Sequence, residues 1–210
     1  MAATQPEARA SRRMSAGQRR ESILAAAAEE FTEAGYQRAR MARVAERLGV
    51  TEPVVFQNFG SKPALYAAVL DRAADEMCDL LATEAAKAVS VAEFLAGVLS
   101  PGHLDRMHRR GNPGVLFADA VGLTSDPEIA ETARRSVRKV ARVLTKLFEQ
   151  GQQAGDVADD TEAATLAWWL LSFFASHGFR CAVMPHRPQR EADLAQLTLQ
   201  MLTVIDPDGA

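Results

Sequence analysis

The stretch from Arg40 to Leu65, RMARVAERLGVTEPVVFQNFGSKPAL, constrains this chain more than any other part of it. Met41, Val44, Ala45 and Leu48 follow the i, i+3, i+4, i+7 spacing of one helix face, and Arg43, Glu46 and Arg47 take the other. Gly49 follows at once, where a chain leaves a helix through the left-handed region that glycine enters cheaply. Val50 then reads as a buried hinge, Thr51 as an N-cap, and Pro53 as a first-turn residue that needs no amide donor. A second short helix is expected over residues 52–59, with Val55 and Phe59 facing inward. That leaves Val54, Gln57 and Asn58 pointing outward. A valine beside two amides is odd for a plain surface helix, but it suits a helix laid in the major groove. There the amides pair with base edges and the valine meets a thymine methyl. Gly60 and Ser61 end this helix and cap the next, and Lys62 at that N-terminus suits a phosphate. Two short helices around a glycine turn are the pattern of a helix-turn-helix DNA reader.

A longer helix is expected before this pair. Ser15 and Gln18 have the spacing of a capping box, and Ile23, Leu24, Ala27, Ala28 and Phe31 form an inward stripe over a helix from Ala16 to about Ala34. Gly35 closes it, with Tyr36 packing behind the turn. The three helices make a module of about 50 residues, which needs to lean on something larger to be stable.

The run AAAAEEFTEAGYQRARMARVAERLGVTEPVVFQNFGSKPAL resembles the N-terminal domain of the TetR family of transcriptional regulators. That family shows F-x-x-x-G-[FY], then [IV]-A-x-x-x-G-V-[ST]-x-x-x-[LV]-[YF]-x-x-F-x-[ST]-K-x-x-L. The matching residues are Phe31, Gly35, Tyr36, Val44, Ala45, Gly49, Val50, Thr51, Val55, Phe56, Phe59, Ser61, Lys62 and Leu65, over about a quarter of the chain. Three positions depart from the pattern. Arg40 stands where the family usually has a capping Thr, Pro53 where it has Gly, and Phe56 where it has Tyr. Arg40 can meet a phosphate as a charge but cannot cap, and Phe56 lacks a hydroxyl for the DNA backbone. The residues expected at DNA are Arg40, Arg43, Thr51, Glu52, Val54, Phe56, Gln57, Asn58 and Lys62.

Charge follows the same division. Residues 1–62 carry ten Lys/Arg and seven Asp/Glu, whereas residues 63–210 carry fourteen and twenty, within a whole-chain net charge of −3. The basic end holds the DNA face, and the acidic remainder is repelled by phosphate. Residues 1–14 read as a disordered basic arm, residues 15–62 as the DNA-binding domain, and residues 63–210 as a helical effector-binding and dimerisation domain. Arg12, Arg13, Arg19 and Arg20 are available for backbone or minor-groove contacts, or for solvent.

Almost no stretch alternates with period two, so an all-α fold is expected. Helices are placed at about 61–84, 91–99, 102–110, 113–123, 127–153, 161–184 and 189–204. No linker separates the reading helix from the first of these. Asp126 caps the helix from Pro127, whose apolar stripe is Ile129, Ala133, Val137, Val140, Leu144, Leu147 and Phe148. The next helix, with Asp160 as its expected cap, contains LAWWLLSFFASHGF and is apolar almost all round, as a helix shared between a core and a second subunit would be. The family resemblance implies the same, a four-helix dimer bundle from the last long helices. Val137, Val140, Leu144, Trp168 and Leu171 are the expected interface residues. The resemblance also implies an effector cavity, for which Phe94, Met107, Phe117, Trp168, Trp169, Phe173 and His177 are the candidates, although an ordinary core would use the same residues.

Cys78 and Cys181 sit in apolar helices with no CxxC pair, and no signal peptide is visible, which fits a reducing cytoplasm. His177 and Cys181 share a helix face, and His103, Asp105 and His108 cluster in sequence, but neither set reaches a four-ligand metal site. No phosphate loop, nucleophile elbow or carboxylate pair stands out, so no cofactor and no enzymatic activity are expected. The expected function is that of a dimeric, ligand-released regulator, most simply a repressor on a palindromic DNA site. The competing reading is a helical small-molecule carrier or enzyme whose N-terminal module does not read DNA, and a third keeps DNA binding but replaces the effector with a protein partner.

Overall fold

The computed structural model describes residues 15–107, 114–123, 126–184 and 187–203. These residues are helical, and an isolated antiparallel bridge between Val157 and Thr203 is the extent of their β pairing. The arm expected over residues 1–14 lies outside them.

Helix α1 (Ala16–Arg38) opens on the capping box, with Ser15 Oγ accepting from the Gln18 amide at 3.2 Å and Gln18 Oε1 accepting from the Ser15 amide at 3.0 Å. It is broken at Gly35, whose φ of 75° and ψ of 158° belong to a region open essentially to glycine alone. A Cβ there would also lie 3.1 Å from Asp119 Oδ2. Helices α2 (Met41–Arg47) and α3 (Glu52–Phe59) are joined through Gly49, whose φ is 64°. Thr51 occupies the N-cap position of α3 without a side-chain cap bond. Gly60 and Ser61 alone separate α3 from α4 (Lys62–Lys87), and Ser61 Oγ caps α4 by accepting from the Ala64 amide at 3.1 Å.

The chain continues through α5 (Val91–Val98), α6 (Pro101–Met107), α7 (Gly114–Gly122), α8 (Pro127–Ala154), α9 (Ala163–Ala175), α10 (His177–Val183) and α11 (Arg187–Leu202). Asp126 caps α8 as expected, its carboxylate accepting from the Glu128 and Ile129 amides, and Gly155 ends α8 at φ 82°. Helix α8 runs between α4 and α9 and is the mast on which the larger part of the molecule is built.

Two expectations are corrected. The single helix expected over residues 161–184 is two helices, α9 and α10, parted at Ser176. The Phe173 carbonyl accepts from Ser176 Oγ at 3.1 Å and Arg180 Nη1 at 2.8 Å, and these side chains compete with the helical amide for it. Nor does Asp160 cap α9, because Glu162 holds the N-cap position and makes no side-chain cap bond. Gln152 Nε2 donates to the Ala158 and Thr161 carbonyls, which keeps this segment out of the helix.

Two apolar cores form. The first joins α1, α2 and α3 to the first half of α4, to Leu116 and Ala120 of α7, and to Ile129 and Ala133 of α8. At its centre Tyr66 meets Phe31 edge-on at 4.8 Å between ring centroids and Tyr36 at 4.8 Å. The second core gathers Cys78, α5, Leu104, the later part of α8, α9 and α11. Among the described residues no helix is long and apolar enough to cross a membrane.

Candidate nucleic-acid interface

Helix α3 is fixed from below and open above. Val55 and Phe59 are buried in the first core, while Thr51, Glu52, Phe56 and Gln57 are exposed and Val54 and Asn58 are half-buried. Asn58 Nδ2 donates to the Val54 carbonyl at 2.7 Å, which orients its amide along the helix. Arg40 and Arg43, at the start of α2, are exposed.

Polar clamps hold this face in place. The Arg40 amide, at the N-cap position of α2, donates to Oε1 of the buried Glu30 of α1 at 3.2 Å, so one of the orphan donors of that helix start is satisfied. Arg47 bridges to Glu29 at 2.9 Å, Glu33 at 2.5 Å and Glu30 at 3.6 Å. The hydrogen bond to Glu33, with the charges of all three glutamates, holds the Arg47 guanidinium above its ordinary pKa. Its positive charge is committed to α1.

Arg20 takes an unexpected part. Its guanidinium lies 4.0 Å over the Phe59 ring, and Nη1 donates to the Asn58 carbonyl at 2.8 Å. It therefore ties the first turns of α1 to the C-terminal end of α3, where one of the four orphan carbonyls of a helix needs a donor. Arg12 and Arg13 lie outside the described residues. Lys62 is also more enclosed than its helix-start position implies. Nζ donates to the Ala39 carbonyl at 2.7 Å and the Gln37 carbonyl at 3.4 Å, and it lies 4.7 Å from the Tyr36 ring centroid. Burial pushes its pKa below the usual lysine range. The lysine staples the start of α4 to the link between α1 and α2.

Two bonds carry this module onward into the rest of the protein. The Tyr36 amide donates to Asp119 Oδ2 at 3.1 Å, and the Tyr66 hydroxyl donates to the Leu116 carbonyl at 2.9 Å, both acceptors lying on α7. Burial, then the negative charge of Asp119, pushes the Tyr66 hydroxyl far above its ordinary pKa.

The effector candidates do not line one cavity. Phe117 packs half-buried against the first core, whereas Phe94 and Phe173 belong to the second. Met107 is half-buried at the end of α6. Trp168 and Trp169, expected to divide between pocket and partner, are both on the surface at 48 % and 46 % exposure. His177, 2 % exposed, sits among charges, 3.7 Å from Asp105 Oδ1 and 3.6 Å from Glu191 Oε2. A surface cleft of about 420 Å³ between α4 and α8 is lined by Asp71, Glu131, Thr132 and Arg135 among others, and by none of these candidates.

The interface residues also divide. Val140 and Leu144 are 8 % and 3 % exposed because the stripe of α8 fills the second core between α4 and α9, so they are corrected to protomer core. Val137 and Leu171 are half-buried. Trp168 is open, and with it Phe179 and Val183 of α10 and Leu197 and Met201 of α11, which the sequence reading did not single out. It also missed Glu30 and the buried Arg180–Glu191 pair, bonded at 2.8 and 3.2 Å. A charged residue falling on an apolar helix face was the available signal for both.

A chain that presents a short helix outward beside a glycine turn, braced by the helices before and after it, has the architecture of a helix-turn-helix module. Residues 23–69 match the family described as bacterial regulatory proteins, tetR family. The HTH-type transcriptional activator FasR of Mycolicibacterium smegmatis is 45 % identical over 65 residues, which span 31 % of this chain and 30 % of FasR. The chain therefore matches less than a third of that relative's length. The HTH-type transcriptional repressor Rv1474c of Mycobacterium tuberculosis is 27 % identical over 157 residues, 72 % of this chain and 76 % of that one. Among solved structures, a TetR-family regulator from Agrobacterium tumefaciens superposes with a TM-score of 0.73 at 16 % identity, over 90 % of this chain and all of that one. A putative regulator from Saccharomonospora viridis in complex with choline gives 0.70 at 17 % identity, over 90 % and 100 %. These structures share the fold.

Proposed function

We propose that this TetR-family transcriptional regulator is a homodimeric repressor that binds a palindromic operator and is released by a small, largely apolar effector. Arg40, Arg43, Thr51, Glu52, Val54, Phe56, Gln57, Asn58 and Lys62 form its DNA face, with residues 15–62 as the reading unit and residues 63–210 as the effector and dimer unit. The observation that carries this reading is the junction at Gly60 and Ser61, with Lys62 bonded back to Ala39. It makes α3 and α4 move as one body, so a shift of the larger part turns the reading helix. The open apolar residues of α9, α10 and α11 support pairing through that side, which would set two reading helices about 34 Å apart, or a multiple of that, on successive major grooves. The effector acts only by preferring one of the two subunit arrangements.

Fragments of the organism's own DNA retained by the purified protein test the reading. Retention that weakens steeply with salt and is released by a small molecule supports it, while salt-insensitive retention or none rejects it. Gln57→Ala and Asn58→Ala each relax the choice at particular bases, by about 1–3 kcal/mol, whereas Lys62→Ala weakens all sequences alike. Uniform losses from all three substitutions would reassign the base contacts.

A further inference from the structure

We propose that Cys181 is a covalent modification site for small electrophiles of the α,β-unsaturated carbonyl class, with His177 as the base that takes the thiol proton. Cys181 is exposed, and its Sγ lies 3.2 Å from Nε2 of His177, which is itself buried. The imidazole lies between two carboxylates, each just beyond hydrogen-bond distance. Asp105 of α6 places Oδ1 at 3.7 Å from Nε2, and Glu191 of α11 places Oε2 at 3.6 Å from Nδ1. Glu191 is locked in turn by two bonds from Arg180, which also anchors to the Phe173 carbonyl and to Ser176 Oγ. A nucleophile, a base and two carboxylates beside the base are thus brought together by three helices. Asp105 brings negative charge beside the ring, while the charge of Glu191 is paired with Arg180.

The step balances without an oxidant or a leaving group. The thiol proton passes to Nε2, and the sulfur lone pair forms a bond to the β-carbon. The π pair of the alkene moves to the α-carbon and carbonyl as an enolate, and the imidazolium returns the proton there. The net change is addition of S–H across the double bond. Four residues separate Cys181 from His177, so the two lie about 40° apart on α10, and Phe179 and Val183 lie about 160° from Cys181 on the other side. The thiol thus stays open if that apolar side is covered by a second subunit. Cys78 is the internal contrast, because it is buried in the second core, where burial pushes its thiol pKa up. The site stands on α6, α10 and α11 alone and does not depend on the DNA-reading proposal.

The test uses N-ethylmaleimide in limiting amount at neutral pH on the full chain, with adducts located by peptide mass. One adduct is expected, on Cys181, with Cys78 unmodified. Native Cys181 should react on the order of tenfold faster or more than the same cysteine in the urea-unfolded chain, since a positioned base contributes about 10²–10⁴-fold where it acts. His177→Gln removes that advantage, and Asp105→Asn, on a half-exposed residue of another helix, reduces it several-fold. The comparison of native with unfolded wild-type protein decides the matter even if the His177 variant fails to fold. Equal or slower reaction in the native chain, or equal labelling of Cys78, overturns the site. An unchanged rate in both folded variants overturns the role of the imidazole.

Discussion

The two ends of the molecule handle their aromatic and charged residues in opposite ways. Around the reading helix, Phe31, Tyr36 and Tyr66 are packed face and edge inside the first core, and the ion pairs of Arg47 lie partly in solvent. Toward α9, α10 and α11, Trp168, Trp169 and Phe179 are on the outside, and the Arg180–Glu191 pair is on the inside. An end whose aromatic groups face inward is finished as a protomer. An end whose large apolar groups face water, with its charges sealed beneath, has the composition of a surface awaiting a partner.

The sharpest break in this contrast is expected from truncating one aromatic residue at each end. Phe31→Ala should cost about 3–5 kcal/mol of unfolding free energy at any protein concentration, measured by urea titration. Trp168→Ala should change protomer unfolding by no more than about 0.5 kcal/mol. It should instead weaken self-association by about 2 kcal/mol, roughly thirtyfold in dissociation constant by sedimentation. Large unfolding losses from both would erase the distinction.

Charges invert the ranking. Glu191→Gln strands the Arg180 guanidinium in a dry site and should cost about 3–5 kcal/mol, whereas Arg47→Ala should cost about 1 kcal/mol or less. Equal costs in chemical denaturation would mean that depth does not separate the two networks.

The tyrosine core makes a prediction about alkali. The folded pKa of Tyr66 is raised above its unfolded value near 10, so its contribution is fully present below that pH. Above it, the unfolded chain loses the phenolic proton first, and stability should fall by up to about 1.4 kcal/mol per pH unit until the folded pKa is passed. Tyr66→Phe should flatten this slope between pH 10 and 11 in urea titrations, while removing the bond to the Leu116 carbonyl. An unaltered slope would place its source elsewhere.

The smallest effect concerns Arg20. If it braces α3, Arg20→Lys lowers affinity for a specific site a few-fold and leaves the salt dependence as it was, because a lysine cannot both stack on Phe59 and reach the Asn58 carbonyl. A direct phosphate contact would behave differently, since Arg20→Ala would then reduce the salt slope by about one unit in binding titrations.

Much of the N-terminal architecture was legible because its signals are local. The capping box at Ser15, the φ of Gly49 and the inward turn of Val55 and Phe59 all follow from neighbours within one or two turns. Lys62 shows the limit of that reading. Its place at a helix start was evident, but its reach to Ala39 depends on how three helices meet. The distal end was harder for the same reason. Periodicity identified the stripe of α8 but could not say whether Val140 and Leu144 face α9 or another subunit. An unbroken apolar run hid the parting at Ser176, because the competitor for the Phe173 carbonyl lies four residues beyond the break. Adjacent tryptophans announce a large apolar area and nothing of its direction.

Helix α4, at 26 residues, is a rod of about 39 Å, joined to the reading helix at its foot. A sideways push of about 3 Å at its top is a rotation of roughly 5° at its base, which moves a helix about 10 Å from that pivot by about 1 Å. A force applied far out on the lever thus reaches the reading head as a change of angle more than of position.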